Sequence, residues 1–353
     1  MIERPEVSSV ILLNPLRCFI YSYKGCKPFV KASLMIKLSL ENAFQSFFHK
    51  RYLFEDFYNI EISKEYKEIF YSKNTFSPSK KLKDFQRFLN LFIFEYLPIN
   101  ENVVFSYRKA VNAKDAILPH SKNKYILSTD IKSFFASINI DKLKHIILKN
   151  ADNFLISDIK IYLEHIINLV TYNDILPVGS PSSPLVSNSY LFELDNLLEK
   201  YCIHHNITYT RYSDDFIFSS NTQEELKNIV NILKKMFIDC GFKDFEINEK
   251  KTKFQKQGFN KIVLLGLVLT PQGFITVDNK HKKDIEILLH FYLSDKKKFI
   301  DFFSNNFSSN IDKVSGLLSY INSVDSFYIS KLRKKYGSFI VNSFIHRNID
   351  VKF

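Results

Sequence analysis

YTRYSDDFIFSS, residues 209–220, sets strand-forming residues on both sides of a polar Ser213-Asp214-Asp215 centre. Adjacent residues of a strand point to opposite faces, so neighbouring carboxylates address one point only where the backbone turns. Tyr and Phe favour strands, and the stretch predicts a β-hairpin with Asp214 and Asp215 at its tip. Asp is also a common turn residue, so an ordinary exposed turn would carry the same pair.

A second stretch changes the odds. YILSTDIKSFFASI, residues 125–138, reads as an apolar strand with Asp130 at or near its end, then a turn toward a helix beginning near Asp141. A buried, unpaired carboxylate there is costly. Asp130 could cap the following helix or pair with Arg211. If its strand lies beside the hairpin, three acids converge instead, and Mg²⁺ prefers such hard oxygen donors. Two ions held this way can drive in-line displacement at phosphorus. A third stretch, Gly179-Ser180-Pro181-Ser182-Ser183-Pro184, precedes Asn188. A Gly/Pro/Ser loop entering a helix can present backbone N–H groups to a nucleotide or a base, although such loops often only connect elements.

Outward from these stretches the periodicity is mostly helical. Residues 34–52 and 81–97 show helical spacing, the latter stopping at Pro98. Leu185 to Tyr201 and Glu224 to Asp239 read as helices, and residues 261–278 as two strands around Pro271-Gln272-Gly273. The remainder is helical, with a loop at residues 304–310 and no internal repeat. The expected class is α+β, with helical extensions at both ends.

Composition narrows the function. With 353 residues, 46% of them hydrophobic, the chain can form two or three lobes. Its net charge is +12, and residues 280–353 hold 13 Lys or Arg against 7 Asp or Glu. A polyanionic partner fits this excess, and so do an anionic membrane or a solvated helical surface. The 35 Phe and 19 Tyr are core material first, with a few available to stack on bases. Cys18, Cys26, Cys202 and Cys240 show no Cys-x-x-Cys or zinc-ligand spacing and read as reduced thiols. No apolar run approaches the 18 residues of a membrane span and no signal-type start is visible, so the expected compartment is cytoplasmic, without a membrane partner. Neither a Gly-x-x-x-x-Gly-Lys-Ser/Thr loop nor a His-Glu-x-x-His pair occurs.

Together the motifs resemble the reverse-transcriptase family over roughly Phe85 to Tyr336. The first catalytic motif corresponds to Asp130-Ile131-Lys132-Ser133-Phe134-Phe135 and the template and nucleotide loop to residues 179–188. The Tyr-x-Asp-Asp box corresponds to Tyr212-Ser213-Asp214-Asp215, the next motif to Asn248 through Thr252, and the primer-grip hairpin to Leu264 through Val268. FSYRKAVNAKDAILPH, residues 105–120, is similar to the segment preceding the first catalytic Asp in bacterial retron and defence-associated members.

The resemblance implies a right-hand polymerase fold. Residues 1–124 would form an N-terminal extension and fingers, 125–279 a palm with a fingers-like insertion around 141–178, and 280–353 a helical thumb. It implies an RNA-directed DNA polymerase with catalytic Asp130, Asp214 and Asp215, which with Ile131 would hold two Mg²⁺ (Mn²⁺ as a substitute). Phe135 would gate the sugar, with Phe134 the other candidate for that face. Gly179, Ser180, Pro181, Lys251, Lys64 and Lys67 would meet the nucleotide. Arg108, Lys109, Asn188, Leu265, Gly266, Lys331, Arg333, Lys334 and Lys335 would meet nucleic acid. The implied partners are a non-coding RNA template, dNTPs, the DNA product and an effector or toxin protein, with antiviral defence as the biology. The competing readings are a template-independent or protein-primed DNA polymerase of this family, and an RNA-binding module with a retired palm.

Overall fold

The computed structural model describes residues 37–68 and 76–349. Its N-terminal part is helical: α1 (Leu40–Phe48), α2 (Phe54–Tyr58), α3 (Ile62–Glu65) and α4 (Lys80–Phe92). The antiparallel pair β1 (Tyr66–Glu68) and β2 (Phe76–Pro78) lies between α3 and α4. Ser39 and Ser79 cap α1 and α4 by accepting from Asn42 N and Leu82 N, satisfying amides that the first turn leaves unpaired. The helix expected over 34–52 is shorter. It ends at His49, whose φ of 48° is left-handed, and residues 34–36 lie outside the described residues. Phe44 meets Phe48, Phe57, Phe85 and Phe88 with ring centroids 4.5–5.6 Å apart. Here the many phenylalanines are core.

After α5 (Ala113–Ile117) come β3 (Tyr125–Asp130), α6 (Ile140–Lys149), α7 (Leu163–Val170), α8 (Ser183–Tyr190) and α9 (Phe192–His204). Then follow β4 (Thr208–Tyr212), β5 (Asp215–Ser220), α10 (Glu224–Lys227), α11 (Ile229–Asp239) and β6 (Lys253–Lys256). The helix expected from Leu185 to Tyr201 is two helices that meet at Leu191. The strands form one sheet in the order β4-β5-β3-β6, every pair antiparallel. The expected hairpin is β4–β5, and β3 does lie beside it.

This sheet is covered on both faces. Leu127, Phe216 and Phe218 pack into a core shared with the N-terminal helices, while Ile126 and Ile217 enter a second core. The alternation is the strand period of two. That second core continues through β7 (Ile262–Leu264), β8 (Leu267–Leu269) and β9 (Ile275–Thr276). It also takes in the C-terminal helices α12 (Asn279–Ser294), α13 (Lys296–Phe307), α14 (Ile311–Val324), α15 (Ser326–Tyr336) and α16 (Ser338–Ile345). Residues 261–278 thus hold three strands rather than two. The loop expected from residue 304 starts only at Ser308, because α13 runs through Phe307.

The chain before β3 also touches the sheet. Arg211 N donates to Val103 O at 2.7 Å and Phe105 N to Arg211 O at 3.0 Å, so Val104 extends the sheet beside β4. This segment therefore packs against the same sheet that carries the acids. Among the described residues, no helix is long and apolar enough to cross a membrane. Cys202 is buried and Cys240 half-buried, both free; Cys18 and Cys26 lie outside the described residues.

Behind the hairpin, Arg211 is fully buried and paired with the equally buried Asp195, Nη2 to Oδ2 at 2.6 Å and Nε to Oδ1 at 2.8 Å. Removing one partner leaves an uncompensated charge in the interior. Arg211→Met is therefore expected to destabilise the protein by about 3–5 kcal/mol, measured as a lowered urea midpoint.

Candidate active site

Tyr212 and Asp215 are directly opposed in the β4–β5 ladder, which leaves Ser213 and Asp214 as a two-residue turn. Ser213 has φ +59°, and a positive φ at the first central residue is the pattern of a type II′ turn. Ile131 N donates to Asp214 O at 3.3 Å and ties the turn to the end of β3. One register step sets the site: Asp130 is the Cα partner of Asp215. Directly opposed residues share a face with Cβ atoms about 5 Å apart.

Asp130 is 6% exposed. Its Oδ2 accepts from Asn248 Nδ2 at 3.3 Å and Lys251 Nζ at 3.2 Å. It neither caps a helix nor pairs with Arg211, which is committed to Asp195. Burial raises the Asp214 carboxyl above the usual carboxylate range, and the Asp130 charge adds to this; hydrogen bonds from its own backbone and Ser213, then Lys251, oppose it. Asp215, although it faces solvent across the cleft, is pushed up to about 6 by desolvation, then by the charges of Asp214 and Asp130. Like charges in one cleft disfavour ionisation.

Asn248 and Lys251 hold the Asp130 carboxylate at the end of β3, opposite Asp215 and next to the turn that carries Asp214. Among the described residues no group of three or more His, Cys, Asp or Glu side chains is already gathered at metal-holding spacing. The donor chemistry suits a hard divalent cation, since three carboxylates lie at one end of the sheet and the Asp130 charge adds to the burial that raises Asp214 and Asp215.

Beside the acids is a cavity of about 160 Å³ lined by Ser128, Asp130, Asp215, Lys251, Leu264 and Leu265. Leu265 and Gly266 have φ of 51° and 76°, the two positive values of a type I′ turn joining β7 to β8. That hairpin tip therefore stands at the acids. Phe134 is 2% exposed and packs against Phe245, whereas Phe135 is half-buried at the edge of the same core. Of the two candidates for the sugar-facing ring, Phe135 is the less buried.

The loop at 179–184 is pinned to the N-terminal helices and strands. Gly179 has φ +103°, and a Cβ there would lie 2.8 Å from Phe76 O. Ser180 Oγ and Tyr66 OH are 3.0 Å apart, and Pro181 O accepts from Asn90 Nδ2 at 2.9 Å. Asn188 is a correction. At 2% exposure it accepts from Ser106 Oγ at 3.0 Å and Arg211 Nη1 at 3.2 Å, so its side chain is structural and out of reach of nucleic acid.

The expected basic contacts lie at or near the surface, most of them engaged by carboxylates, backbone carbonyls or neighbouring side chains. Arg108 donates to Val104 O at 2.6 Å and Glu101 O at 2.8 Å, and Lys109 to Glu95 at 3.3 Å. Lys64 pairs with Glu61 at 2.5 Å, and Lys67 is exposed on β1. On α15, Lys331 sits over the Phe327 ring, Arg333 donates to Asn342 and Lys335 to Glu286, and Lys334 is exposed. Such surface pairs are weak and can be exchanged for phosphate. Sequence reasoning missed Tyr107, whose OH lies 3.0 Å from Ser213 Oγ at the turn. It carries no charge to mark it, and its neighbours Arg108 and Lys109 drew attention instead.

A family model described as "Reverse transcriptase (RNA-dependent DNA polymerase)" matches residues 73–288. The Retron Ec73 reverse transcriptase of Escherichia coli is 32% identical over 276 residues, covering 75% of this chain and 83% of that protein. The Retron Ec86 reverse transcriptase of the same organism is 29% identical over 272 residues, covering 75% and 78%. Among solved structures, apo telomerase from Candida Tropicalis aligns over 75% of this chain and 54% of its own, with TM-score 0.41 and 14% identity. This chain thus spans about half of that telomerase chain.

The raised Asp215 carboxyl has a stability consequence. Between the ordinary carboxylate value and about 6, the folded protein binds the extra proton, so stability falls as pH rises through that window. In metal-free buffer Asp215→Asn is expected to raise the melting temperature at pH 7. The gain should be at most about 1 kcal/mol after solvent screening and vanish below pH ~4. A thermal melt at both pH values checks it; a loss at pH 7 would contradict the repulsion.

Proposed function

This chain belongs to the reverse-transcriptase family, and on that premise we propose how it carries out RNA-directed DNA synthesis. Its template is a dedicated non-coding RNA copied into DNA from dNTPs, a reading supported by its similarity to the retron enzymes of Escherichia coli. Antiviral defence, with an effector or toxin protein as partner, is the biology that completes this reading. The carrying observation is the register that sets Asp130 opposite Asp215, with Asp214 on the adjoining turn.

Enzymes of this family use divalent metal ions. We assign Asp130, Asp214 and Asp215, with the Ile131 carbonyl, as the oxygen donors for two, Mg²⁺ or Mn²⁺. When bound, such ions supply charge neutralisation at the pyrophosphate and a lowered pKa at the primer 3′-hydroxyl. The chain's own residues do the rest. The half-buried Phe135 ring excludes a ribose 2′-hydroxyl. Lys251, with its ammonium 3.2 Å from Asp130, offers a cation to the triphosphate and a proton to the departing pyrophosphate. Lys64 and Lys67 lie on the N-terminal side as further triphosphate contacts. Gly179, Ser180 and Pro181 bound the nucleotide and template side, and Leu265 and Gly266 support the primer end. Arg108, Lys109, Lys331, Arg333, Lys334 and Lys335 neutralise backbone phosphates, which makes binding salt-sensitive. The fingers, palm and thumb follow the boundaries given above, residues 1–124, 125–279 and 280–353.

Asp214→Ala combined with Asp215→Ala is expected to abolish Mg²⁺-dependent dNTP incorporation on an RNA template. The double variant should keep its fold, because both residues lie at a hairpin tip and neither is part of the apolar core. Retained polymerisation would refute the assignment. Phe135→Ala is expected to admit ribonucleotides, reducing discrimination against them by about tenfold or more. Competition between rNTP and dNTP in a primer-extension assay reads this directly.

A further inference from the structure

We infer that Arg211 and Tyr107 are positioning residues that hold the catalytic turn by the carbonyl and the hydroxyl of Ser213 and act through Ser213 on Asp214. The inference rests on the proposed use of Asp214 and concerns what holds that side chain in place.

Ser213 adopts a left-handed conformation, φ +59°, which side-chain-bearing residues seldom take. Such conformations persist where the surroundings over-determine them. Ser213 O accepts from Arg211 Nη1 at 2.8 Å, and Ser213 Oγ lies 3.0 Å from Tyr107 OH. The following carbonyl, Asp214 O, accepts from Ile131 N at 3.3 Å. The turn is thus held on three sides before any ligand arrives.

Both grips are themselves braced. Arg211 is 0% exposed, with Nε and Nη2 on the two Asp195 oxygens and Nη1 also on Asn188 Oδ1 at 3.2 Å. Asp195 accepts a further bond from Tyr209 OH at 2.8 Å. The guanidinium is therefore fixed in one plane, a geometry an ammonium cannot reproduce. Tyr107 also has a positive φ, 56°. On one side Ser106 Oγ is 3.0 Å from Asn188 Oδ1, while Ser106 O accepts from Asn188 Nδ2 at 2.8 Å. On the other side Arg108 is held on Val104 O and Glu101 O. Asn188 is common to both arms. A closed circuit results: Arg211, Asn188, Ser106, the backbone to Tyr107, Ser213, and back to Arg211. It couples the segment at 105–108 to the turn that carries Asp214.

The test is a double-mutant cycle on the exposed arm, with Arg211→Lys on the buried one. Tyr107→Phe and Ser213→Ala each delete one hydroxyl of the same bond. Each single change should lower kcat for dNTP incorporation about fivefold, with KM for dNTP and the melting temperature unchanged. Ser213→Ala also removes the Ser213 hydroxyl's own bond to the Asp214 carboxyl, so it should lose at least as much as Tyr107→Phe, and the double variant no more than Ser213→Ala alone. Mn²⁺ affinity, read by paramagnetic resonance titration, should weaken by a similar factor, a change that a merely structural role would not produce. Arg211→Lys, which keeps the charge facing Asp195, should cost at least about tenfold in kcat. Full kcat with unchanged Mn²⁺ affinity in folded Tyr107→Phe, or strictly additive losses in the cycle, would overturn the inference. If Arg211→Lys fails to fold, the hydroxyl cycle decides alone. If the unaltered protein incorporates no dNTP on any RNA template, the proposed function fails, and the Mn²⁺ titrations still decide the positioning claim.

Discussion

Two carboxylates placed directly opposite each other on neighbouring strands repel, and much of this structure serves to keep Asp130 and Asp215 in that unfavourable pairing. Burial raises the Asp214 and Asp215 carboxyls above the ordinary range, and the charge of Asp130 adds to the shift of each. A sequence optimised only for stability would not put acids at these positions. Function-bearing sites regularly run against stability in this way, and the surrounding scaffold compensates.

That compensation comes from both sides of the sheet. Its two faces feed separate apolar cores, one shared with the N-terminal helices and one with the C-terminal helices and the β7–β9 hairpins. Because strand side chains alternate, a one-residue slip in the β3–β5 register would exchange the two sets of core residues. It would also separate Asp130 from Asp215. Apolar packing that has nothing to do with chemistry therefore protects the register that chemistry needs. The buried Arg211–Asp195 pair adds little net stability of its own, as such pairs generally do. Its value lies in specificity, because the guanidinium also reaches the Ser213 carbonyl at the turn.

Much of the local structure was legible beforehand. The hairpin at 209–220, the strand ending at Asp130 and the helical C-terminal region all follow from residue type and periodicity. The helix expected through Leu185 to Tyr201 breaks at Leu191. Other misses were decided by a neighbour distant in sequence. The four-residue strand β6 pairs with β3 across more than a hundred residues, and little in its own Lys-Phe-Gln-Lys marks it. Asn188 looked like a polar residue available to nucleic acid, yet its partners Ser106 and Arg211 bury it. Tyr107 drew no notice because its importance is a single hydroxyl contact made across the fold.

By itself, then, the amino-acid order determined which side chains can do chemistry here: three acids, each at the end or turn of a strand, in an order and spacing matched by a known polymerase family. Strand propensity and turn chemistry act over a few residues, so they can be read from a few residues. Only the tertiary structure decided how those acids stand to one another and what restrains them. Asp130 turned to Asn248 and Lys251, Arg211 to Asp195, and the register set Asp130 opposite Asp215. Those choices are settled by long-range pairing and by charge interactions in a partly desolvated cleft, and neither quantity is local to any stretch of the chain.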